Sequence, residues 1–195
     1  MRKKKLSKEI IIYTTIALIE EKESIHNVNF REIARRLACA HTSLYNFFPS
    51  FEALILESGM QIMLDMRQTL TFETMERVRT GNFKRYTLAY IHCVLEFALA
   101  HPGWYRFLWL EHIDIDFSEL FQNHQRPEIL LLPYYISDLD QPMIESEAVI
   151  RLKLAHGFVH GELCKYLSGK SQSIEAKDFI ASTLDHVTWL LNISA

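Results

Sequence analysis

A short polar segment near the N-terminus holds the side chains with the most useful chemistry. Residues 41–46 read His-Thr-Ser-Leu-Tyr-Asn, so imidazole, hydroxyl and amide groups surround a single leucine. Hydroxyl and amide groups can bind the edges of nucleic-acid bases, and His and Tyr can donate hydrogen bonds to phosphate oxygens. The segment therefore predicts a surface that binds nucleic acid, with Leu44 and Phe48, four residues apart, facing the core.

Two predicted helices precede this segment and would hold it in place. Ser7 can cap a first helix and Asn29 a second one, in which apolar residues recur at spacings of three and four. A break of about three residues, Ala38–Ala40, separates the second helix from the polar segment, which Pro49 ends. Three helices with a short turn between the last two are the layout of a helix-turn-helix, whose last helix enters the DNA major groove.

Charge is distributed unevenly along the chain. The 195 residues have a net charge of −3, but residues 1–50 carry nine basic and five acidic residues, whereas residues 51–195 carry twelve and nineteen. Such a division is typical of a protein in which one part meets polyanions and the other does not. Lys3, Lys4 and Lys5 belong to a basic arm ahead of the first helix, and we expect this arm to reach the DNA backbone or the minor groove.

Residues 9–56 resemble the DNA-binding domain of the TetR family of transcriptional regulators. The similarity lies in Phe30–Leu37, in residues 43–50, which read Ser-Leu-Tyr-Asn-Phe-Phe-Pro-Ser, and in residues 52–54, Glu-Ala-Leu. The resemblance implies an N-terminal three-helix helix-turn-helix domain, residues 1–50, and a larger helical ligand-binding and dimerisation domain, residues 51–195. It also implies phosphate contacts by Asn29, His41 and Tyr45, and base reading by Thr42, Ser43 and Asn46.

Apart from a glycine common after the first helix, which Glu23 or Ser24 replaces here, three positions depart from the pattern of that family. Ala38 stands where a turn glycine is usual, Ala40 where a serine usually caps the third helix, and Phe51 where a lysine often contacts phosphate. With alanine at the turn, the backbone must avoid a positive φ or accept strain. These departures motivate an alternative interpretation, a helical small-molecule or metal-binding protein with degenerate DNA binding.

The spacing of apolar residues beyond residue 50 predicts further helices, so that the whole chain is all-α with eight to nine helices. Prolines and glycines number only five and six, and the one candidate strand, Ile129–Ile136, is equally compatible with a helix or a loop. The last two predicted helices, about residues 143–167 and 174–192, have wide apolar faces. Two copies could bury these faces in a four-helix bundle, so we expect a homodimer on a palindromic operator.

Aromatic residues cluster between residues 86 and 135, and a pair of histidines follows them. An aromatic-lined pocket with a few polar groups is the usual small-molecule site, although aromatic residues at helical spacing also form ordinary core. His156 and His160, four residues apart, could share a metal ion, but histidines hydrogen-bonded near a pocket or interface are the favoured interpretation. The predicted ligand contacts are Tyr90, Phe97, Trp104, Tyr105, Trp109, His156 and His160.

Several classes of function are not indicated by the sequence. It holds no GxSxG, Walker-type or GxGxxG motif, so we predict no enzyme, and neither a metal nor another cofactor. Three widely spaced cysteines without CxxC, a short apolar run after the basic arm and no long apolar segment favour a cytoplasmic protein with no membrane span. We therefore predict a ligand-responsive transcriptional regulator, a repressor that a small-molecule effector releases from double-stranded DNA.

Overall fold

A computed structural model describes residues 6–115, 127–168 and 174–193, and all side chains there except those of residues 127 and 128. These residues form α-helices and two 3₁₀ helices, Ile25–Asn27 and His41–Asn46, and no strand. The predicted all-α fold is therefore confirmed, and residues 129–136 are helical. The α-helices are α1 Lys8–Lys22, α2 Phe30–Arg36, α3 Phe51–Arg79, α4 Tyr86–Ala100, α5 Pro102–Trp109, α6 Pro127–Asp138, α7 Glu145–Leu167 and α8 Ala176–Leu191.

The chain divides into two compact units. The N-terminal unit comprises Met1–Asp65 and His101–Phe121, and the C-terminal unit comprises Met66–Ala100 and Gln122–Ala195. The N-terminal unit contains α1, α2, α5 and both 3₁₀ helices, the C-terminal unit contains α4 and α6 to α8, and α3 runs from the first into the second. The predicted boundary at residue 50, between a DNA-binding domain and a ligand-binding and dimerisation domain, stays a prediction. None of the helices in the described ranges combines the length and the hydrophobicity that a membrane span requires.

The core of the N-terminal unit takes one apolar face from each of its first helices. As predicted, Ser7 caps α1 by accepting a hydrogen bond from the Ile10 N–H at 3.3 Å, and Asn29 caps α2 by accepting from the Glu32 N–H at 3.0 Å. These caps fix where each helix begins and hence which residues face inward. The hydrophobic residues of this core with no exposed surface are Ile11, Leu18, Ile19, Ile33, Leu44, Phe48, Leu54, Ile55 and Ile62.

In the same unit, α5 lies against the backbone of α1. A Cβ atom added to Gly103 would lie 2.6 Å from the Glu20 Cα and 2.7 Å from the Ile19 carbonyl oxygen, so only glycine fits without movement. Glu20 also accepts a hydrogen bond from the backbone N–H of Trp104 at 3.1 Å, in the first turn of α5. The carboxylate thus satisfies a helix N-terminus that its own residues leave open.

The C-terminal unit packs α4, α6, α7 and α8 together through apolar faces and a few buried polar links. At the end of α6, the buried Asp138 carboxylate accepts hydrogen bonds from the backbone N–H groups of Tyr86 at 3.3 Å and Thr87 at 2.7 Å, and so caps α4. The Tyr135 hydroxyl donates to the Leu191 carbonyl at 2.6 Å. This bond ties α6 to the end of α8, where carbonyl groups lack helical partners.

Candidate nucleic-acid interface and ligand cavity

The polar segment predicted to bind nucleic acid is the 3₁₀ helix His41–Asn46. Leu44 is fully buried, and Phe48 enters the core one turn later. The exposed side chains are those of His41, Thr42, Tyr45 and Asn46, while Ser43 is half-buried. The segment thus presents hydrogen-bonding groups outward on an apolar anchor, as the sequence predicts.

In the turn before this helix, Ala38 has a strained backbone conformation. Ala38 has a φ of 51°, in the left-handed region, which costs an L-residue about 1–2 kcal/mol. Ala40 occupies the N-cap and makes no side-chain capping bond. Backbone hydrogen bonds hold the turn instead, from the Cys39 N–H to the Ala34 carbonyl at 3.0 Å and from the Ser43 N–H to the Ala40 carbonyl at 2.9 Å.

Aromatic packing orients Tyr45. Its ring meets Phe30 edge to face, with the ring centres 4.9 Å apart, and 54% of the residue remains exposed. Phe30 meets Phe51 in the same way at 5.7 Å. Phe51, at the position where the resemblance implies a lysine, therefore packs on the ring that packs on Tyr45, and this contact gives Phe51 a structural role.

The basic residues of α2 differ in whether they form ion pairs with acidic side chains. Arg35 forms an ion pair with Glu32 at 2.7 Å, and Arg36 forms one with Glu21. Hydrogen bonds from Arg35 are the main reason why the pKa of Glu32 is lowered to about 2. Arg31 is exposed and makes no ion pair within the described part of the chain. Arg31, two residues after the Asn29 cap, is not among the DNA contacts predicted from the sequence.

The three predicted lysines of the basic arm, Lys3, Lys4 and Lys5, lie outside the described residues.

The predicted ligand contacts fall into both units. Tyr90 and His156 come together in the C-terminal unit, where they line a partly open cavity of about 30 Å³ among α4, α6 and α7. Phe97 and His160 belong to the same unit but do not line this cavity. The remaining lining residues are Ile91, Val94, Leu131, Leu152, Ala155 and Val159.

The other three predicted contacts, Trp104, Tyr105 and Trp109, lie on α5 in the N-terminal unit. Trp104 stacks on His101 with ring centres 4.4 Å apart, and its indole N–H donates to the Ile16 carbonyl at 3.4 Å. Tyr105 is buried and packs against Trp109, with ring centres 4.8 Å apart. The structure thus places these aromatic rings in the packing of α5, and their role as ligand contacts stays a prediction.

The histidine pair of α7 shows contacts within the protein. The Nε2 atom of His160 lies 3.6 Å from the Sγ atom of Cys164, and burial, together with His156, lowers the pKa of His160. Within the described ranges, no group of three or more His, Cys, Asp or Glu side chains could hold a metal ion. The contact shown for His160 is thus with Cys164, one turn further along α7.

One face of α7 and α8 exposes large apolar groups. Ile150, Leu154 and Trp189 are 56%, 59% and 80% exposed and border a groove of about 920 Å³. Further along α7, a Cβ atom added to Gly157 or Gly161 would meet no atom within 4 Å. Contiguous exposed apolar residues of this kind mark interaction surfaces more often than ordinary surface.

Comparison with known proteins identifies the fold. No protein-family model and no curated protein was found to match the sequence. Among solved structures, a TetR transcriptional regulator from Rhodococcus sp. RHA1 has 16% identity over 95% of both chains, with a TM-score of 0.54. A protein from Shewanella sp. PV-4 assigned to the same family has 16% identity over 94% of this chain and 96% of its own, with a TM-score of 0.62. A protein of unknown function from Rhodococcus sp. RHA1 has 15% identity over 95% and 96%, with a TM-score of 0.66. The chain therefore has the fold of the TetR family of transcription regulators.

Proposed function

We propose that this protein is a DNA-binding transcriptional regulator that acts in the cytoplasm. The fold supports this proposal, and one observation carries it. The 3₁₀ helix His41–Asn46 is fixed to the core through Leu44 and Phe48, while its polar side chains point away from the core and stay exposed. Hydrogen-bonding groups on a rigid, exposed support are what base and phosphate recognition requires.

The polar residues divide into two roles. Asn29 uses its Oδ1 atom for the cap of α2, which leaves its amide N–H groups free to donate to a phosphate. Arg31 adds a cation beside it. In this proposal phosphates are bound by Asn29, Arg31, His41 and Tyr45, with Lys3, Lys4 and Lys5 on the backbone or in the minor groove, and bases are read by Thr42, Ser43 and Asn46.

The active form in this proposal is a homodimer held together by α7 and α8. The exposed residues Ile150, Leu154 and Trp189 would be buried between two copies, in a four-helix bundle. A two-fold axis would repeat the DNA-reading segment, so the operator would be a palindrome with half-sites about 34 Å apart.

Regulation would follow from ligand binding in the C-terminal unit. A small molecule would bind more tightly to a form of the dimer in which the spacing of the two His41–Asn46 segments does not match the operator half-sites. Binding would shift the population towards that form, and affinity for the operator would fall. The protein would then act as a repressor that its effector releases. The cavity beside Tyr90 and His156 is the site that we assign to the effector.

A second candidate function is a helical small-molecule-binding protein with degenerate DNA binding. The strained Ala38 and the uncapped Ala40 favour it, because both weaken the support of the reading segment.

Fluorescence anisotropy separates the two candidates. The full chain first selects duplexes from a random library, and its affinity for the selected duplex is then compared with that for a scrambled duplex at two salt concentrations. We expect tighter binding to the selected duplex, a steep loss of affinity with salt, and an affinity at least about ten-fold lower for Tyr45→Ala. Phe72→Ala, which truncates an aromatic residue 67% exposed on α3, is the matched control and should leave affinity unchanged. Equal weak binding to both duplexes, unaffected by Tyr45→Ala, would favour the second candidate.

A further inference from the structure

Three aromatic residues join the first turns of two helices to the 3₁₀ helix His41–Asn46. Phe30 is the first residue of α2, Phe51 is the first residue of α3, and Tyr45 lies in the 3₁₀ helix. Phe30 is buried, whereas Phe51 is half-buried and Tyr45 is mostly exposed. The central ring is therefore fixed in the core of the N-terminal unit, and each of the two outer rings packs on it.

The same contact geometry occurs twice in this group. The ring planes of Phe30 and Tyr45 are 86° apart, and so are those of Phe30 and Phe51. Such edge-to-face pairs place the positive edge of one ring against the negative face of the other, and they stabilise by more than the area they bury. A change at residue 51 therefore alters the packing of Phe30, and with it the position that the Tyr45 ring prefers.

Ring packing is the contact that positions the Tyr45 side chain. Its hydroxyl makes no hydrogen bond to any residue that the structure describes. The hydroxyl can thus donate to an acceptor outside the protein, but no polar contact of its own fixes where it lies. The start of the 3₁₀ helix adds little support, because Ala40 at the N-cap makes no side-chain capping bond.

The side chain of Phe51 offers no group that binds a phosphate. It is a hydrocarbon ring without a charge or a hydrogen-bond donor. An effect of Phe51 on phosphate binding must therefore pass through the residues on which its ring packs. The described contacts give one such route, from Phe51 to Phe30 and from Phe30 to Tyr45.

We propose that Phe51 is a positioning residue for DNA binding, which acts through Phe30 to hold the Tyr45 hydroxyl where it meets a backbone phosphate. The physical reason is preorganisation, since a ring that is already held in place loses less conformational entropy when it binds. The inference rests on the proposed function, because Tyr45 meets a phosphate only if this unit binds DNA. It goes beyond that function by assigning an energetic role to a residue that makes no polar contact with DNA.

A double-mutant cycle on the full-length protein tests the coupling. Phe51→Leu keeps an apolar side chain but removes the ring, and Tyr45→Phe keeps the ring but removes the hydroxyl. Each change alone should weaken binding to the selected duplex about five-fold in anisotropy titrations. Both changes together should again weaken it about five-fold, rather than the roughly 25-fold expected of independent changes, because the hydroxyl that Phe51 positions is already absent.

Further variants control the cycle. Phe51→Leu and Asn46→Ala should have independent effects that multiply, since Asn46 carries no ring that packs on Phe30. Phe51→Tyr keeps a ring against Phe30 and should keep the affinity within about two-fold of the wild type. Circular dichroism shows whether each variant is folded, and Phe51→Met takes the place of Phe51→Leu if the leucine variant is not.

The salt dependence of binding separates positioning from a general structural role. Neither a phenylalanine nor a tyrosine side chain is a cation, so Phe51→Leu should lower affinity without changing the slope of log affinity against log salt concentration. Arg31→Gln removes a cation that the proposed function places on a phosphate, and it should make that slope shallower by about one. If Phe51→Leu instead loosened α2 as a whole, it would displace Arg31 too and also make the slope shallower.

Three results would overturn the inference. They are independent effects of Phe51→Leu and Tyr45→Phe, an unchanged affinity in either single variant, and a shallower salt slope in Phe51→Leu. The proposed function is judged by the wild-type chain alone. If that chain binds the selected and scrambled duplexes equally, both the proposed function and the role of Phe51 are wrong. If it binds selectively but the two changes act independently, only the role of Phe51 is wrong.

Discussion

The 3₁₀ helix His41–Asn46 and the outer face of α7 and α8 differ in what they leave exposed. The first exposes hydrogen-bonding groups on a segment that Leu44 and Phe48 bury in the core, and the second exposes Leu154 and Trp189 on long regular helices. Polar groups keep their hydration until a polar partner replaces it, whereas exposed apolar groups gain by burial alone. The difference therefore indicates a polar partner for the first surface and an apolar one for the second, which the proposed function takes to be DNA and a second copy of the chain.

The largest expected effect concerns the apolar face. Trp189→Glu places a charge at the centre of the proposed dimer contact, and we expect dimer affinity to fall on the order of 100-fold or more. Size-exclusion chromatography with light scattering should show a shift from dimer to monomer at micromolar concentration.

Phe72→Glu is the matched control for this change. Phe72 is 67% exposed on α3 and lies on neither α7 nor α8, so its replacement should leave the dimer intact. If the Trp189→Glu variant is still a dimer, α7 and α8 do not form the interface, and the comparison between the two surfaces is wrong.

The second effect tests the close packing inside the N-terminal unit. Gly103→Ala forces a Cβ atom against the backbone of Glu20, and we expect the free energy of unfolding to fall by about 3 kcal/mol. Gly157→Ala adds the same methyl group in open space within α7 and should raise that free energy by up to about 1 kcal/mol. Urea denaturation of both variants measures the difference, and equal values would show that α5 does not lie so close to α1.

A smaller effect concerns the turn that precedes the 3₁₀ helix His41–Asn46. Ala38→Gly relieves the positive φ and should stabilise the protein by about 1 kcal/mol, and Ala40→Ser supplies a capping oxygen worth about the same. Ala34→Gly, inside α2, should instead destabilise by at least about 1 kcal/mol. Thermal unfolding of the three variants checks these signs, and a destabilised Ala38→Gly would mean that the turn is not strained.

The smallest effect is a pH dependence in α2. The pKa of Glu32 is about 2, below its usual value of 4.5, because Arg35 donates to it. Its contribution to stability is complete above pH 4.5 and is lost as the pH falls towards 2. Glu32→Gln should therefore reduce the sensitivity of unfolding to acid in that window. NMR titration gives the carboxyl pKa directly, and a value near 4.5 would contradict the ion pair.

Local features of this fold could be predicted from the sequence, and long-range ones could not. Ser7 and Asn29 cap their helices as predicted, because a cap depends on residues three positions away. The sequence did not decide between strand, helix and loop for residues 129–136, which are helical despite Pro133. Its position is fixed by links such as that from Tyr135 to Leu191, 56 residues apart, which no local pattern contains.

The candidate sites follow the same division. The exposure of the polar segment His41–Asn46 could be predicted because apolar anchors and polar neighbours alternate within a few residues. The sequence could not show which of the seven predicted ligand contacts line a cavity and which pack between helices, because aromatic content does not reveal that α5 packs on α1 through Gly103. Only Tyr90 and His156 of the seven line the cavity, whose other walls are aliphatic residues from three helices.

The most direct test of the proposed function compares affinity and specificity in one variant. Thr42→Ala combined with Asn46→Ala removes two predicted base readers and leaves the predicted phosphate contacts in place. Anisotropy titrations should show that affinity for the selected duplex falls about 100-fold, to the level of the scrambled duplex, whose own affinity is unchanged. An equal loss on both duplexes, or no loss on either, would contradict the claim that the 3₁₀ helix His41–Asn46 reads the DNA sequence.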